Sequence, residues 1–174
     1  MRNLSLSTLG PLAALILLTV LGASLNDNFL SAGNITNVLA RSAFIGMIAV
    51  GMTFVITSGG LDLSVGSMAA FVAGMVILAM NALQPSLGVG LPLALVGIGV
   101  ALAVGLLAGL ANGLLVTRVG IEPFIVTLGT MGIFRSLVTW LADGGTLSLD
   151  FAMREYIGPI YYGGILGISW PIIT

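Results

Sequence analysis

The sequence contains no cysteine, no histidine and no lysine. Without the first two, the chain has no thiol nucleophile, no disulfide and none of the usual zinc or haem ligands. Without lysine it cannot carry a phosphate loop of the form G-x-x-x-x-G-K-[ST], whose lysine reaches the nucleotide phosphates, so an ATP-driven role needs a partner chain. Charge is almost as scarce. Only 6% of the 174 residues are charged, against about a quarter in a soluble domain. The five arginines and six acidic residues are scattered singly and nearly cancel, to a net −1. This leaves no basic patch or charged tail for nucleic acid to engage.

What fills the sequence is apolar. The hydrophobic fraction is 58% and the mean hydropathy is +1.19. The stretches Asn3 to Asn26, Ser42 to Leu61 and Leu63 to Thr117 carry no charge, and about 20 mainly apolar residues suffice to cross a hydrocarbon core. The expected fold class is therefore all-α, a polytopic integral membrane helical bundle with about five or six membrane segments and the lipid bilayer as its solvent. The apolar run Leu9 to Leu25 is longer than the core of a signal peptide and reads as a retained first span. Asn26 to Asn37 reads as a water-exposed loop or a surface-lying segment and Ala43 to Ser58 as a short span. Helices are expected from Ser64 to Met80 and from Leu91 to Thr117, with a turn from Asn81 to Gly90 around Pro85 and Gly88. A further run, Phe124 to Ala142, opens at Pro123, which fits a first helical turn because its missing N–H costs nothing there. Asp143 to Glu155 reads as a loop, and a last apolar run extends from Tyr156 to Thr174.

One segment interrupts this pattern, Gly59-Gly60-Leu61-Asp62-Leu63-Ser64. Two glycines permit backbone conformations that other residues resist, and the short polar side chains of Asp62 and Ser64 can accept hydrogen bonds from the open N–H groups of a helix starting there. Two readings stand side by side. In one, the segment is a tight turn at the membrane surface with Asp62 as a helix cap. In the other, it is a broken helix near residues 59–64, a non-helical joint beside a water-filled path, where irregular backbone is tolerated at membrane depth. Gly59, Gly60, Asp62 and Ser64 are the candidate site residues, with Asn112 as a fifth, polar within an otherwise apolar helix.

The glycines and alanines at 97, 101, 105, 109 and 113, and those at 66, 70 and 74, recur every fourth residue, a pattern that lets helix backbones approach closely in lipid. Arg135 lies inside an apolar run, so it either snorkels to a surface or neutralises an acid such as Asp62. An intramembrane aspartyl protease would need two carboxylates sharing a site. Here Asp27, Glu122, Asp143 and Asp150 fall in loops or at span ends, so no catalytic residue is assigned and no cofactor or metal is expected.

The run from Gly51 to Ser67, GMTFVITSGGLDLSVGS, resembles the hallmark of the ribose/xylose-type permeases of bacterial ABC importers. A second block, Ala111 to Val116 leading to Pro123 through Met131 and Arg135, resembles the next characteristic segment of that family in the expected order. Together they cover about Arg41 to Gly145. Glu122 and Ser136 depart from the family pattern, which more often has a small or apolar residue and a glycine there. The resemblance implies a sugar-transport subunit of the bacterial cell inner membrane that pairs with a second permease subunit. It also implies cytoplasmic ABC ATPase subunits and a periplasmic sugar-binding protein as partners. Members are roughly twice this length, so the chain reads as an N-terminal half. The related branched-chain amino-acid permeases and a non-transporting fragment of a split gene are the alternatives.

Overall fold

The computed structural model describes residues 6–165 together with 168 and 169. Six helices follow one another: α1 (Leu6–Leu25), α2 (Ala32–Thr57), α3 (Val65–Leu87), α4 (Leu91–Thr117), α5 (Pro123–Leu141) and α6 (Phe151–Tyr162). Two very short strands, β1 (Gly164–Ile165) and β2 (Ile168–Ser169), pair antiparallel, with Gly164 opposite Ser169. The chain divides into two compact units, with boundaries at Gly46 and Gly163.

In the first unit, α1 turns into α2 through side-chain chemistry that the asparagines and serine supply. The Asn26 Oδ1 accepts from the Asn28 N–H at 2.8 Å. The Ser31 Oγ accepts from the Asn34 N–H at 3.3 Å, an N-cap arrangement that satisfies one orphan donor of the helix start. That cap corrects the sequence reading of Asn26 to Asn37 as a loop, because the helix begins at Ala32. With 26 residues, α2 is about 39 Å long. It is therefore longer than the short span expected from Ala43 to Ser58, and exceeds the ~30 Å hydrocarbon core.

The second unit is built on α3, α4 and α5, with α3 packed against both of the others. Part of the small-residue pattern is used here. A Cβ on Gly97 of α4 would come within 2.7 Å of the Met80 sulfur and 3.5 Å of Val76 on α3, and one on Gly74 within 3.2 Å of Leu147. At Gly105 the nearest side chain, Val72, stands 3.9 Å away, whereas at Gly109 and Gly113 nothing lies within 4 Å. The rings of Phe71 on α3 and Phe134 on α5 stack with centroids 5.5 Å apart. The outward face of α4, with Leu102 and Leu106 about 70% exposed, is wholly apolar, as a lipid-facing surface should be.

Helix α3 runs on to Leu87 through Pro85, where a turn was expected from Asn81. The polar side chains of that stretch explain the extension. Asn81 donates from Nδ2 to the Ser148 carbonyl at 2.9 Å and accepts at Oδ1 from the Asp150 N–H at 3.0 Å. Gln84 donates from Nε2 to the Asp150 carboxylate at 2.8 Å. Asp150 also caps α6, accepting from the Ala152 N–H at 3.0 Å. The residues read as a loop up to Glu155 therefore enter a helix at Phe151, and Met153, fully buried, joins Met80 and Leu93 in one apolar cluster.

Four helices, α2 to α5, are long and apolar enough to cross a membrane, and α1 contributes a shorter apolar stretch, Leu9–Leu25. The 12-residue α6 is too short to cross. Of the last apolar run expected from Tyr156 to Thr174, residues 166, 167 and 170–174 lie outside the described residues.

Two outcomes follow from this packing. Gly97→Val, which forces a branched side chain against Met80 and Val76, should destabilise the detergent-solubilised protein by about 1–3 kcal/mol, whereas Gly109→Ala should leave its thermal midpoint near the parent value. Equal effects of the two would contradict the contact assignment. Asp150 has its carboxyl held below the ordinary carboxylate range, first by the Gln84 amide and then by the Ala152 N–H. A depressed native pKa contributes stability that is complete above the unfolded value of about 4 and is lost as pH falls through the native value. Protection of α6 amides against hydrogen exchange, corrected for the intrinsic slowing of exchange in acid, should therefore fall on acidification below that range, and Asp150→Asn should remove this acid-dependent component. An unchanged acid response in the variant would refute it.

The joint between α2 and α3 as candidate functional site

Double glycine ends α2 by a definite backbone geometry. The Gly59 N–H donates to the Ile56 carbonyl at 3.0 Å and the Gly60 N–H to the Val55 carbonyl at 2.9 Å. Gly59 has φ +82. These are the two bonds and the left-handed residue of a Schellman ending, in which glycine is favoured because it has no Cβ. Gly60 is restricted for a different reason, since a Cβ there would stand 3.2 Å from a Val55 methyl carbon and 3.3 Å from its carbonyl oxygen.

The chain from Leu61 to Ser64 is then fastened to two other helices. Asp62 directs one carboxylate oxygen, Oδ1, at Ser64, accepting from its N–H at 2.7 Å and its hydroxyl at 2.6 Å. Ser64 is fully buried. Having given its only hydroxyl hydrogen to Asp62, its Oγ accepts from Asn112 Nδ2 of α4 at 2.9 Å. On the other side, Thr127 of α5 donates to the Leu61 carbonyl at 3.2 Å and to the Pro123 carbonyl at 2.8 Å. Both partners are deeply buried, Asn112 at 6% and Thr127 at 4% exposure. The result is an amide-hydroxyl-carboxylate chain that pins the joint to α4, and a hydroxyl-carbonyl contact that pins it to α5.

Gly59, Gly60, Asp62, Ser64 and Asn112 thus lie together, with hydrogen bonding that differs from the expected capping. Asp62 and Ser64 were expected to cap the open N–H groups of α3. Ser64 is the N-cap residue yet makes no side-chain capping bond, and Asp62 braces Ser64 itself, because at two residues' separation an aspartate reaches the N–H in an Asx turn. Thr127 was not singled out by the sequence. Its signal was its place one turn beyond Pro123, where its hydroxyl can bond the Pro123 carbonyl. Arg135 does not neutralise Asp62. Among the described residues it makes no ion pair, and it lines a cavity with Trp140 and Asp143.

Beside the joint lies a cavity of about 290 Å³ lined by Val55, Gly60, Asp62, Gly109, Asn112 and Thr127, among others. Gly109 and Gly113 of α4, where a Cβ would meet no atom within 4 Å, both border it. Asn112 Oδ1 is buried without any hydrogen-bond partner, an arrangement that costs about 1–3 kcal/mol. No cluster of three or more His, Cys, Asp or Glu side chains able to hold a metal occurs among the described residues.

Residues 34–157 match the family profile described as branched-chain amino acid transport system / permease component. The ribose import permease of Bacillus subtilis (strain 168) is 42% identical over 173 residues, covering 95% of this chain and 49% of the relative. That of Haemophilus influenzae is 37% identical, covering 91% and 47%. The xylose transport system permease of Escherichia coli (strain K12) is 36% identical, covering 92% and 39%. The chain thus spans about half the length or less of these curated relatives. No solved structure gives a significant match. With the family profile matching most of the chain and relatives this similar along nearly all of it, the chain belongs to the permease family of that profile, in the branch of the ribose/xylose-type import permeases.

Proposed function

We propose that this chain forms part of the translocation pathway of an ATP-driven importer for a monosaccharide such as ribose or xylose, in the bacterial inner membrane. The observation that carries the proposal is the polar chain Asn112–Ser64–Asp62, set beside a cavity among largely apolar helices, in a family whose relatives reported above are named as sugar permeases. Buried polar groups among membrane helices mark paths and joints because lipid cannot satisfy them. The sugar names of these relatives favour a sugar over a branched-chain amino acid as the solute.

In this proposal the joint does no covalent chemistry. Gly59 and Gly60 end α2, while Asp62 and Ser64 fix the start of α3 against α4, so that movement of α2 and movement of the α3–α4 pair meet at one place. Alternating access is a shift between two such arrangements, and a ligand or nucleotide changes their balance only by binding one better than the other. The chain has no lysine and hence no phosphate loop of the lysine type, so ATP binding falls to partner ATPase subunits. A second permease subunit and a periplasmic sugar-binding protein complete the assembly.

Asp62→Ala, introduced into the complete permease and assayed with its partners, should lower sugar uptake at least about tenfold, the loss expected from removing one strong charge-assisted bond. The amount of permease in the membrane should stay unchanged. Normal uptake by this variant would sink the assignment of the joint.

A further inference from the structure

The side chains that line the cavity at the joint offer a guest mainly hydrogen-bond acceptors. Ser58 donates its hydroxyl hydrogen to the Val55 carbonyl at 2.8 Å, Thr117 to Gly113 at 2.7 Å, and Thr127 to Pro123 at 2.8 Å. Every hydroxyl hydrogen in its lining is therefore committed to backbone, and what those side chains leave for a guest is oxygen lone pairs. Two further acceptors have no partner among the described residues, the second carboxylate oxygen of Asp62 and the buried Oδ1 of Asn112. The orientation of the Asn112 amide is fixed by chemistry: Ser64 has given its hydrogen to Asp62, so the amide must present nitrogen to Ser64, which leaves the oxygen unpartnered.

An acceptor-lined cavity of about 290 Å³ is roughly ten times the ~30 Å³ share of one water and just below the usual small-molecule range of about 300–1,000 Å³. A dehydrated ion is far too small to fill it, and a single carboxylate is the only charge in its lining. A compact solute bearing several hydroxyl donors fits both the size and the polarity. We infer that this cavity is a hydroxyl-binding subsite for the transported solute, in which Asn112 Oδ1 and the free oxygen of Asp62 accept hydrogen bonds from sugar hydroxyls. The inference rests on the transport reading above and adds to it a residue that selects solute. Asn112 Oδ1 is shut off from solvent, so entry of the solute requires a small opening of the joint. The unpaired oxygen makes that opening easier, since its desolvation penalty is relieved when a hydroxyl arrives.

The test is uptake of D-ribose against its monodeoxy analogues by the complete permease with its ATPase and binding protein, comparing the parent with Asn112→Leu. Selection by the binding protein is common to both permeases and cancels in the ratio. Asn112→Leu should raise the KM for ribose on the order of tenfold, and one deoxy analogue, lacking the hydroxyl that Asn112 accepts, should be affected much less. Asp62→Asn, which replaces the free acceptor by a donor, should give the same selective pattern with a different analogue and serves if Asn112→Leu fails to reach the membrane. If both variants depress all sugars equally, or neither changes the ratios, the groups bind water or merely brace the joint, and the subsite is refuted. If the parent assembly takes up no ribose or related sugar at all, the transport reading itself fails.

Discussion

One hydroxyl decides the arrangement around the joint. Ser64 is wholly enclosed and owns a single hydrogen, which the Asp62 carboxylate takes at 2.6 Å. Its oxygen can then only accept, and Asn112 on α4 must turn its nitrogen inward. Removing that hydroxyl leaves a carboxylate, an amide and the start of a helix without their mutual partner, in surroundings where an unmade bond is expensive. The glycine ending of α2, the position of α3 and the contact with α4 are therefore parts of one arrangement.

The evenly spaced glycines of α4 serve two ends. Toward one end of the helix Gly97 lets Met80 and Val76 of α3 press in, and the fully buried Leu93 and Met153 complete that contact. Toward the other end Gly109 and Gly113 press on nothing and border the cavity. The same repeat thus holds the bundle together in one half of the helix and keeps space free in the other.

Much of this was legible in the residues because lipid enforces simple rules. A run without charge gave α4, and an apolar run whose one charge is Arg135 gave α5, each to within a residue or two, since little in them competes with an internally bonded helix. The double glycine and Asp62 marked the joint for the same reason. What escaped were features decided by partners far along the chain. Pro85 reads as a helix stop until Asn81 and Gln84 meet Ser148 and Asp150, and Ala32 reads as loop until Ser31 is known to cap it. The direction of the Asn112 amide and the contact of Thr127 with Leu61 depend on which helices become neighbours, which spacing along one helix does not encode. The small-residue repeat foretold close packing along all of α4, yet within that repeat a Cβ would be crowded only at Gly97.

The connections 88–90 and 118–122 that join α3 to α4 and α4 to α5 are short, so the three helices that hold the joint are consecutive in sequence as well as adjacent in space. Contacts between near neighbours close small loops and form early, whereas distant pairings wait for the rest of the chain. Asp62 lies just ahead of α3 in the chain, and Asn112 arrives with the next helix. The local Asp62–Ser64 pair therefore forms within three residues of chain, whereas its tie to Asn112 becomes available only after α3 and most of α4 have followed.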